Sequence, residues 1–276
     1  MKELFMNNIR VAIITGASKG IGRSTALKFA SNKYKTTLVG RNQVELDQLR
    51  LEIEQKYGTE VLVLAGDLVD EDFLRKIVTE TLEKWERVDV LINNAAWRTI
   101  ETMRNISIKT WERTIKICLT APAFLAKYAA AVMEEKRIAG VIVNISSVMS
   151  QSAGGISPAY IACKGGLESL TFELAVLYGP KNIRVVSVNP GNIKTDLSND
   201  YTDGKGNNIS EQLGEHMNDN TPLKRAGTSE EIANVSYWLS TSEASFITGT
   251  TILVDGGFFH NFNSYPMKKL QYPKEF

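Results

Sequence analysis

Short apolar runs alternate with longer segments of helical period along most of the chain. Val11 to Thr15 (VAIIT) is apolar almost without interruption, the pattern of a strand buried on both faces. Comparable runs occupy Thr36 to Val39, Val61 to Ala65, Val88 to Asn93, Val141 to Ser146, Ile183 to Asn189 and Thr250 to Val254. Between them, Arg23 to Asn32, Val44 to Tyr57, Asp72 to Lys84, Trp111 to Lys136 and Ala159 to Tyr178 read as helices. Strands that are apolar on both faces need cover on both sides. Alternation with helices then implies a parallel sheet with right-handed crossovers. The expected fold class is α/β: a doubly wound parallel sheet in three α/β/α layers, forming a single domain over residues 1–257.

Two segments stand apart. Leu197 to Asn220 is polar, contains Gly204, Gly206 and Gly214, and is expected to be a mobile flap. Residues 258–276 follow the last strand and carry aromatics, lysines and two prolines. This tail is expected either to cap a neighbouring subunit or to be partly disordered.

Composition mainly excludes. With 32 basic and 31 acidic residues the net charge is +1, so nothing favours nucleic acid or an anionic membrane as partner. Cys118 and Cys163 are too few and too far apart for a disulfide framework or a zinc site, and no metal is expected. They suit a reducing, cytoplasmic setting. Residues 1–8 hold no apolar signal core, and no stretch approaches the roughly 18 apolar residues of a membrane helix. The two histidines, His216 and His260, lie in polar or tail-like stretches, which argues against a Ser-His-Asp hydrolase.

The first strand leads into Thr15-Gly16-Ala17-Ser18-Lys19-Gly20-Ile21-Gly22, and a helix follows. Glycine permits positive φ and close approach of backbone amides to a ligand. A helix N-terminus adds unpaired N–H groups and a favourable dipole, so the loop suits a pyrophosphate, in the manner of Rossmann-type folds. A glycine triplet alone is a weak signal; the strand before it and the helix after it supply the confirming context.

With its Gly-x-x-x-Gly-x-Gly spacing, the chain resembles the short-chain dehydrogenase/reductase family from Arg10 to Gly257. Several later positions carry the resemblance further. Asn93-Asn94-Ala95-Ala96 is similar to the family's Asn-Asn-Ala-Gly motif, with Ala96 as a mild departure. Ser147 precedes Tyr160 by thirteen positions, the family's usual interval, and Lys164 follows Tyr160 by four. Asn189-Pro190-Gly191-Asn192-Ile193-Lys194-Thr195 resembles the segment that binds the nicotinamide carboxamide, through the Ile193 backbone and the Thr195 hydroxyl. Asp67 and Leu68 look like the adenine-contact pair.

The resemblance implies a catalytic group of Ser147, Tyr160 and Lys164, and the chemistry makes sense of those types. Hydride addition to a carbonyl needs a proton for the forming alkoxide. A free phenol holds its proton to about pH 10, and a nearby ammonium stabilises the phenolate. On a helix, four-residue spacing puts Tyr160 and Lys164 on one face. Tyr160 is then the acid/base, Lys164 its partner and a ligand of the nicotinamide ribose, and Ser147 the holder of the substrate oxygen.

The implied cofactor is NADP(H). An acidic residue at the end of the second strand would favour NAD. That place holds Gly40, and Arg41 follows, whose forked donors suit a 2′-phosphate; Lys19 is expected to join it. The reaction expected is hydride transfer between nicotinamide and a carbonyl or alcohol carbon, with a sugar, polyol, small keto compound or 3-oxoacyl group as substrate. Trp97, the segment Val148 to Ala153 and the flap should line its pocket, with Gln151, Ser152 and Asn192 bonding hydroxyls.

One departure bears on activity. The family's usual fourth catalytic residue, an asparagine in the long helix, aligns with Cys118. Two readings stay open: an active enzyme with a rearranged water relay, or a nucleotide-binding sensor or scaffold that lost turnover. The alanine-rich helices Trp111 to Lys136 and Ala159 to Tyr178 can pack across a two-fold axis, and the resemblance implies a homotetramer.

Overall fold

The computed structural model describes residues 9–195, 199, 201–203 and 205–276. The expectation for residues 1–8 and the flap boundary at Leu197 lie outside them. Seven strands form one parallel sheet: β1 (Val11–Thr15), β2 (Lys35–Gly40), β3 (Val61–Ala65), β4 (Val90–Asn93), β5 (Val141–Ile145), β6 (Arg184–Pro190) and β7 (Thr250–Val254). Their order is β3-β2-β1-β4-β5-β6-β7. The chain winds outward from β1 to β3, then returns to place β4 on the other side of β1. The carboxyl ends of β1 and β4 therefore flank the crevice where such sheets bind ligands.

Adjacent residues of a strand face opposite layers, and β1 shows why its run is apolar throughout. Ile14 packs into the layer of Phe29, Leu46 and Ile232, whereas Ile13 packs against Ile77, Leu91 and Leu125. The first layer belongs to α1 (Gly20–Ser31), α2 (Gln43–Tyr57) and α8 (Ser229–Leu239). The second belongs to α3 (Glu71–Trp85), α5 (Ala121–Glu135) and α6 (Pro158–Tyr178). Phe29 is fully buried; truncation of such a side chain to alanine costs about 3–5 kcal/mol.

Local signals place the helix ends. The Asn42 side chain accepts from the Val44 and Glu45 amides, and the Asp70 side chain from those of Asp72 and Phe73. Gly58 ends α2 at φ +64°, which a residue without Cβ adopts freely.

The long helix expected over Trp111 to Lys136 is divided. Helix α4 (Ile108–Ile115) passes through one π turn, Lys116–Thr120, into α5. Pro122 supplies a cause: it has no N–H to give to the carbonyl of Cys118 four residues earlier. Ile108–Glu135 as a whole is long and apolar enough, by length and composition, to cross a membrane, which corrects the expectation that no stretch approaches that limit. Its apolar side chains, including Leu125, Ala129 and Met133, are packed in the second layer.

Three helices were not anticipated. Within the flap, Thr202 and Asn208 pair across a turn held by the Asp203 carboxylate, and α7 (Ser210–Asn220) follows. Helix α8 carries a capping box, Thr228 with Glu231. In the tail, α9 (Tyr265–Gln271) docks near the base of the flap: Lys224 Nζ lies 3.1 Å from the Tyr265 ring centre, and Asn261 donates to the Asn220 carbonyl at 2.6 Å.

Candidate active site

A cleft of about 910 Å³ opens at the carboxyl ends of the central strands. It is lined by the glycine loop at one end, Ser147, Tyr160 and Lys164 in the middle, and flap residues beyond them.

Gly16 and Gly22 are there because other backbone occupies their Cβ positions. A Cβ on Gly22 would sit 2.0 Å from the Gly16 carbonyl oxygen, and one on Gly16, which has φ +65°, would meet Ala95 Cα at 2.9 Å. Asn94 braces this turn. Its Nδ2 donates to the carbonyls of Thr15 (2.9 Å) and Gly16 (3.2 Å), while Thr15 Oγ1 accepts from the amides of Asn94 and Ala95, both at 3.0 Å. Asn94, expected as a cofactor contact, does line the cleft, but its side-chain amide holds the loop. Helix α1 starts at Gly20 with no side-chain cap from Lys19, and Gly20 and Ile21 of its first turn line the cleft. A tight turn, a helix N-terminus and a long cleft fit a dinucleotide pyrophosphate.

At the adenine end, Arg41 and Asp67 line the cleft. Burial opposes the Asp67 charge, but the Arg113 guanidinium at 2.7 Å, the Val69 amide and the charges of Arg113 and Arg41 hold its carboxyl below the usual range. Leu68 is buried beside it. Lys19 lines the cleft as well, and its Nζ also pairs with Glu45 at 3.1 Å. The ammonium end of that pair is well exposed, so Glu45 competes only weakly with a phosphate.

The catalytic candidates come from two elements. Ser147 ends the run after β5, and its Oγ accepts from the Met149 amide at 3.1 Å, starting a 3₁₀ turn over Val148–Ser150. Tyr160 and Lys164 share one face of α6. Lys164 Nζ lies 5.3 Å from the Tyr160 ring centre and donates to the Ile145 carbonyl at 2.6 Å, while Ser146 Oγ donates back to the Lys164 carbonyl at 3.1 Å. All three candidates are buried, Lys164 to 2% exposure. At such burial an ammonium requires firm hydrogen bonding.

Beyond them, Pro190 and Gly191 leave β6 beneath Asp255. A Cβ on Gly191 would lie 2.6 Å from that of Asp255. Ile193 bridges to Gly227, and Thr195 sits against Gly20, so the segment expected at the carboxamide returns to the glycine loop.

Cys118 projects from the π turn to Trp97. Its Sγ accepts from the Trp97 amide at 3.3 Å and donates to the Trp97 carbonyl at 3.4 Å. Burial raises this thiol above its ordinary value, with Lys164 and the Trp97 amide opposing. Burial also pushes Cys163 up, to about 12, with the neighbouring Cys118 adding to it.

The substrate end differs from expectation in part. Trp97, Val148, Met149 and Asn192 line it, but Gln151 and Ser152 do not. Gln151 donates to Glu168, and the Ser152 amide closes the turn on the Val148 carbonyl. One lining residue escaped the sequence reading: Arg98 donates to the hydroxyl of the flap residue Tyr201 at 2.8 Å and lies 4.9 Å from its ring centre. Arg98 directly follows Trp97, the one signal that pointed to it. Among the described residues, no group of three or more His, Cys, Asp or Glu side chains gathers as a metal site.

Residues 16–259 match the family model described as enoyl-(acyl carrier protein) reductase, one of the short-chain dehydrogenase models. The chain belongs to the short-chain dehydrogenase/reductase family. Glucose 1-dehydrogenase 2 of Bacillus subtilis is 32% identical over 90% of this chain and 94% of its own. The 3-oxoacyl-[acyl-carrier-protein] reductase of Aquifex aeolicus is 32% identical over 91% and 97%. A short-chain dehydrogenase structure from Bacillus anthracis superposes with a TM-score of 0.80 at 33% identity, over 90% of this chain and 96% of that one. The protein is thus a dehydrogenase/reductase of that family.

Proposed function

We propose that this short-chain dehydrogenase/reductase is an NADP-dependent enzyme that reduces a carbonyl, or oxidises the matching alcohol, with Ser147, Tyr160 and Lys164 as catalytic residues. The observation that carries the reading is the buried pair on α6. The Tyr160 phenol and Lys164 ammonium lie together in the cleft, and Lys164 is aimed by its bond to Ile145.

Gly16, Ser18, Gly20, Ile21 and Gly22 would hold the pyrophosphate on the loop and the α1 amides. Arg41, joined by Lys19, would take the 2′-phosphate, Asp67 and Leu68 the adenine, and Pro190, Gly191, Ile193 and Thr195 the carboxamide. When bound, NADP(H) supplies or accepts the hydride. Ser147 Oγ donates to the substrate oxygen and orients it. Tyr160 gives its phenolic proton to that oxygen as it gains negative charge, and takes it back in the oxidative direction. An ammonium has three donors. Lys164 directs one at Ile145, and the others are available to the ribose hydroxyls while its charge supports the phenolate.

The substrate end combines the Trp97 and Met149 walls with Asn192, Tyr201, Asn208 and Asn218. That mixture favours a sugar, a polyol or a small keto compound over a 3-oxoacyl chain. Exposed Phe124, Phe172 and Val176 on α5 and α6 support assembly, which we take to be a homotetramer, and two free thiols suit the cytoplasm.

NADPH oxidation against sugars, keto acids, diketones and a 3-oxoacyl thioester tests the reading. Turnover that Tyr160→Phe lowers at least about 100-fold, with NADPH binding retained, is the expected result. NADPH bound tightly with no turnover on any compound would instead favour the sensor.

A further inference from the structure

Helix α6 carries a third buried polar residue along the side that bears Tyr160 and Lys164. Glu168 follows Lys164 by four positions and Tyr160 by eight, so the three align on one face. Glu168 is only 5% exposed. A carboxylate so buried is costly unless its oxygens are bonded. Here Oε2 accepts from Gln151 Nε2 at 2.9 Å, and Oε1 accepts from Asn189 Nδ2.

Those two amides reach Glu168 from different elements. Gln151 closes the 3₁₀ turn that starts at Ser147. Asn189 immediately precedes Pro190 and Gly191 at the end of β6. The ring is closed by Ser150, whose Oγ accepts from Asn189 Nδ2 at 3.1 Å and donates to the Ser147 carbonyl at 2.7 Å.

We propose that Glu168 is a positioning residue of the reaction site: it fastens the turn after Ser147 and the Asn189–Pro190 corner to the helix that presents Tyr160 and Lys164. The proposal rests on the assignment of that end of the cleft to the nicotinamide. A carboxylate suits the task because it is acceptor-only and serves two N–H donors at once. A glutamine of the same shape accepts one and points its own N–H₂ at the other. Glu168→Gln therefore tests the bonds rather than the packing. Adding Gln151→Glu to the same chain restores the polarity: the amide then at position 168 accepts from Asn189 and donates to the carboxylate then at position 151.

The experiment titrates wild type, Glu168→Gln and the double variant with NADPH, followed by reduced-nicotinamide fluorescence, and with 2′,5′-ADP as a probe of the adenine half. Thermal melts run alongside. In Glu168→Gln, NADPH affinity should fall about tenfold, the loss of one charge-assisted bond, with weaker bound-nicotinamide emission. Affinity for 2′,5′-ADP should stay within about twofold, and the double variant should recover most of the NADPH loss. Unchanged NADPH binding in Glu168→Gln, an equal loss of both ligands, or no recovery in the double variant each overturns the proposal. If Glu168→Gln does not fold, Gln151→Ala removes one donor and should show the same contrast at about threefold; an unchanged response there overturns it too. A wild type that binds 2′,5′-ADP but neither NADPH nor NADH would instead sink the assignment of the cleft, which is a different failure.

Discussion

The Cys118 thiol makes two hydrogen bonds to the backbone of one residue, Trp97, accepting from its amide and donating to its carbonyl. Trp97 forms a wall of the cleft and is covered by the Arg113 guanidinium 5.3 Å from its ring centre, which in turn pairs with Asp67. Cys118 is thus tied to a wall of the site. Cys118→Ala removes both bonds, so kcat/KM should fall about three- to tenfold at nearly constant NADPH affinity. Cys118→Asn offers a donor and an acceptor in the same place and should retain or raise activity. A tenfold loss in Cys118→Asn with folding preserved, measured by steady-state kinetics and thermal melts, would show that the thiol has a task of its own.

Arg41 carries the cofactor prediction. Arg41 offers forked donors, whereas Lys19 offers one ammonium that it shares with Glu45, so Arg41 should make the main contact with a 2′-phosphate and Lys19 a lesser one. Arg41→Ala should weaken NADPH about tenfold and leave NADH within about twofold. Glu45→Gln, which releases Lys19, should strengthen NADPH modestly. Paired titrations with the two cofactors read both effects; an equal loss for NADPH and NADH in Arg41→Ala counts against the assignment.

Both thiols are buried and raised, Cys163 to about 12 against an ordinary 9.0. The folded chain therefore keeps protons that the unfolded chain releases. The stability this contributes is complete below pH 9 and is lost as pH rises from 9 toward 12. Native protein at pH 8 should leave both cysteines unmodified by iodoacetamide, and denatured protein should take up two equivalents. Rapid native labelling at that pH would contradict the burial.

The acid limb of stability should include Glu231. Its two oxygens pair with Arg225, and one also accepts from the Thr228 amide in the capping box, which brings its carboxyl down to about 2 from an ordinary 4.5. The contribution is present above pH 4.5 and disappears as pH falls toward 2. Glu231→Gln should lower the melting temperature at pH 6 by about 1–3 °C and have a clearly smaller effect at pH 2.5. The same shift at both pH values would assign the effect to packing.

The sheet, the glycine loop and the Tyr160–Lys164 pair were legible in the chain because each rests on short-range geometry. A run such as VAIIT is apolar throughout because Ile13 and Ile14 serve opposite layers. Glycines in the loop answer to a backbone that comes within 2.0 Å of where a side chain would begin. Four-residue spacing aligns side chains on any helix. The long helix was legible in extent but not in its π turn, although Pro122 signalled one. Helix α8 was missed despite its Thr228–Glu231 capping box and its apolar positions from Ile232 to Leu239.

Contacts between elements were decided by tertiary structure alone. Cys118 meets Trp97 across 21 positions, Arg98 meets Tyr201 across 103, and Glu168 draws in Gln151 and Asn189 from two directions. The sequence names residue types and their local spacing, but a hydrogen bond needs two groups within about 3 Å. For residues far apart in the chain, only the packing of helices on the sheet brings them that close. For that reason Gln151, which reads in the sequence as a substrate ligand, is a structural donor to Glu168.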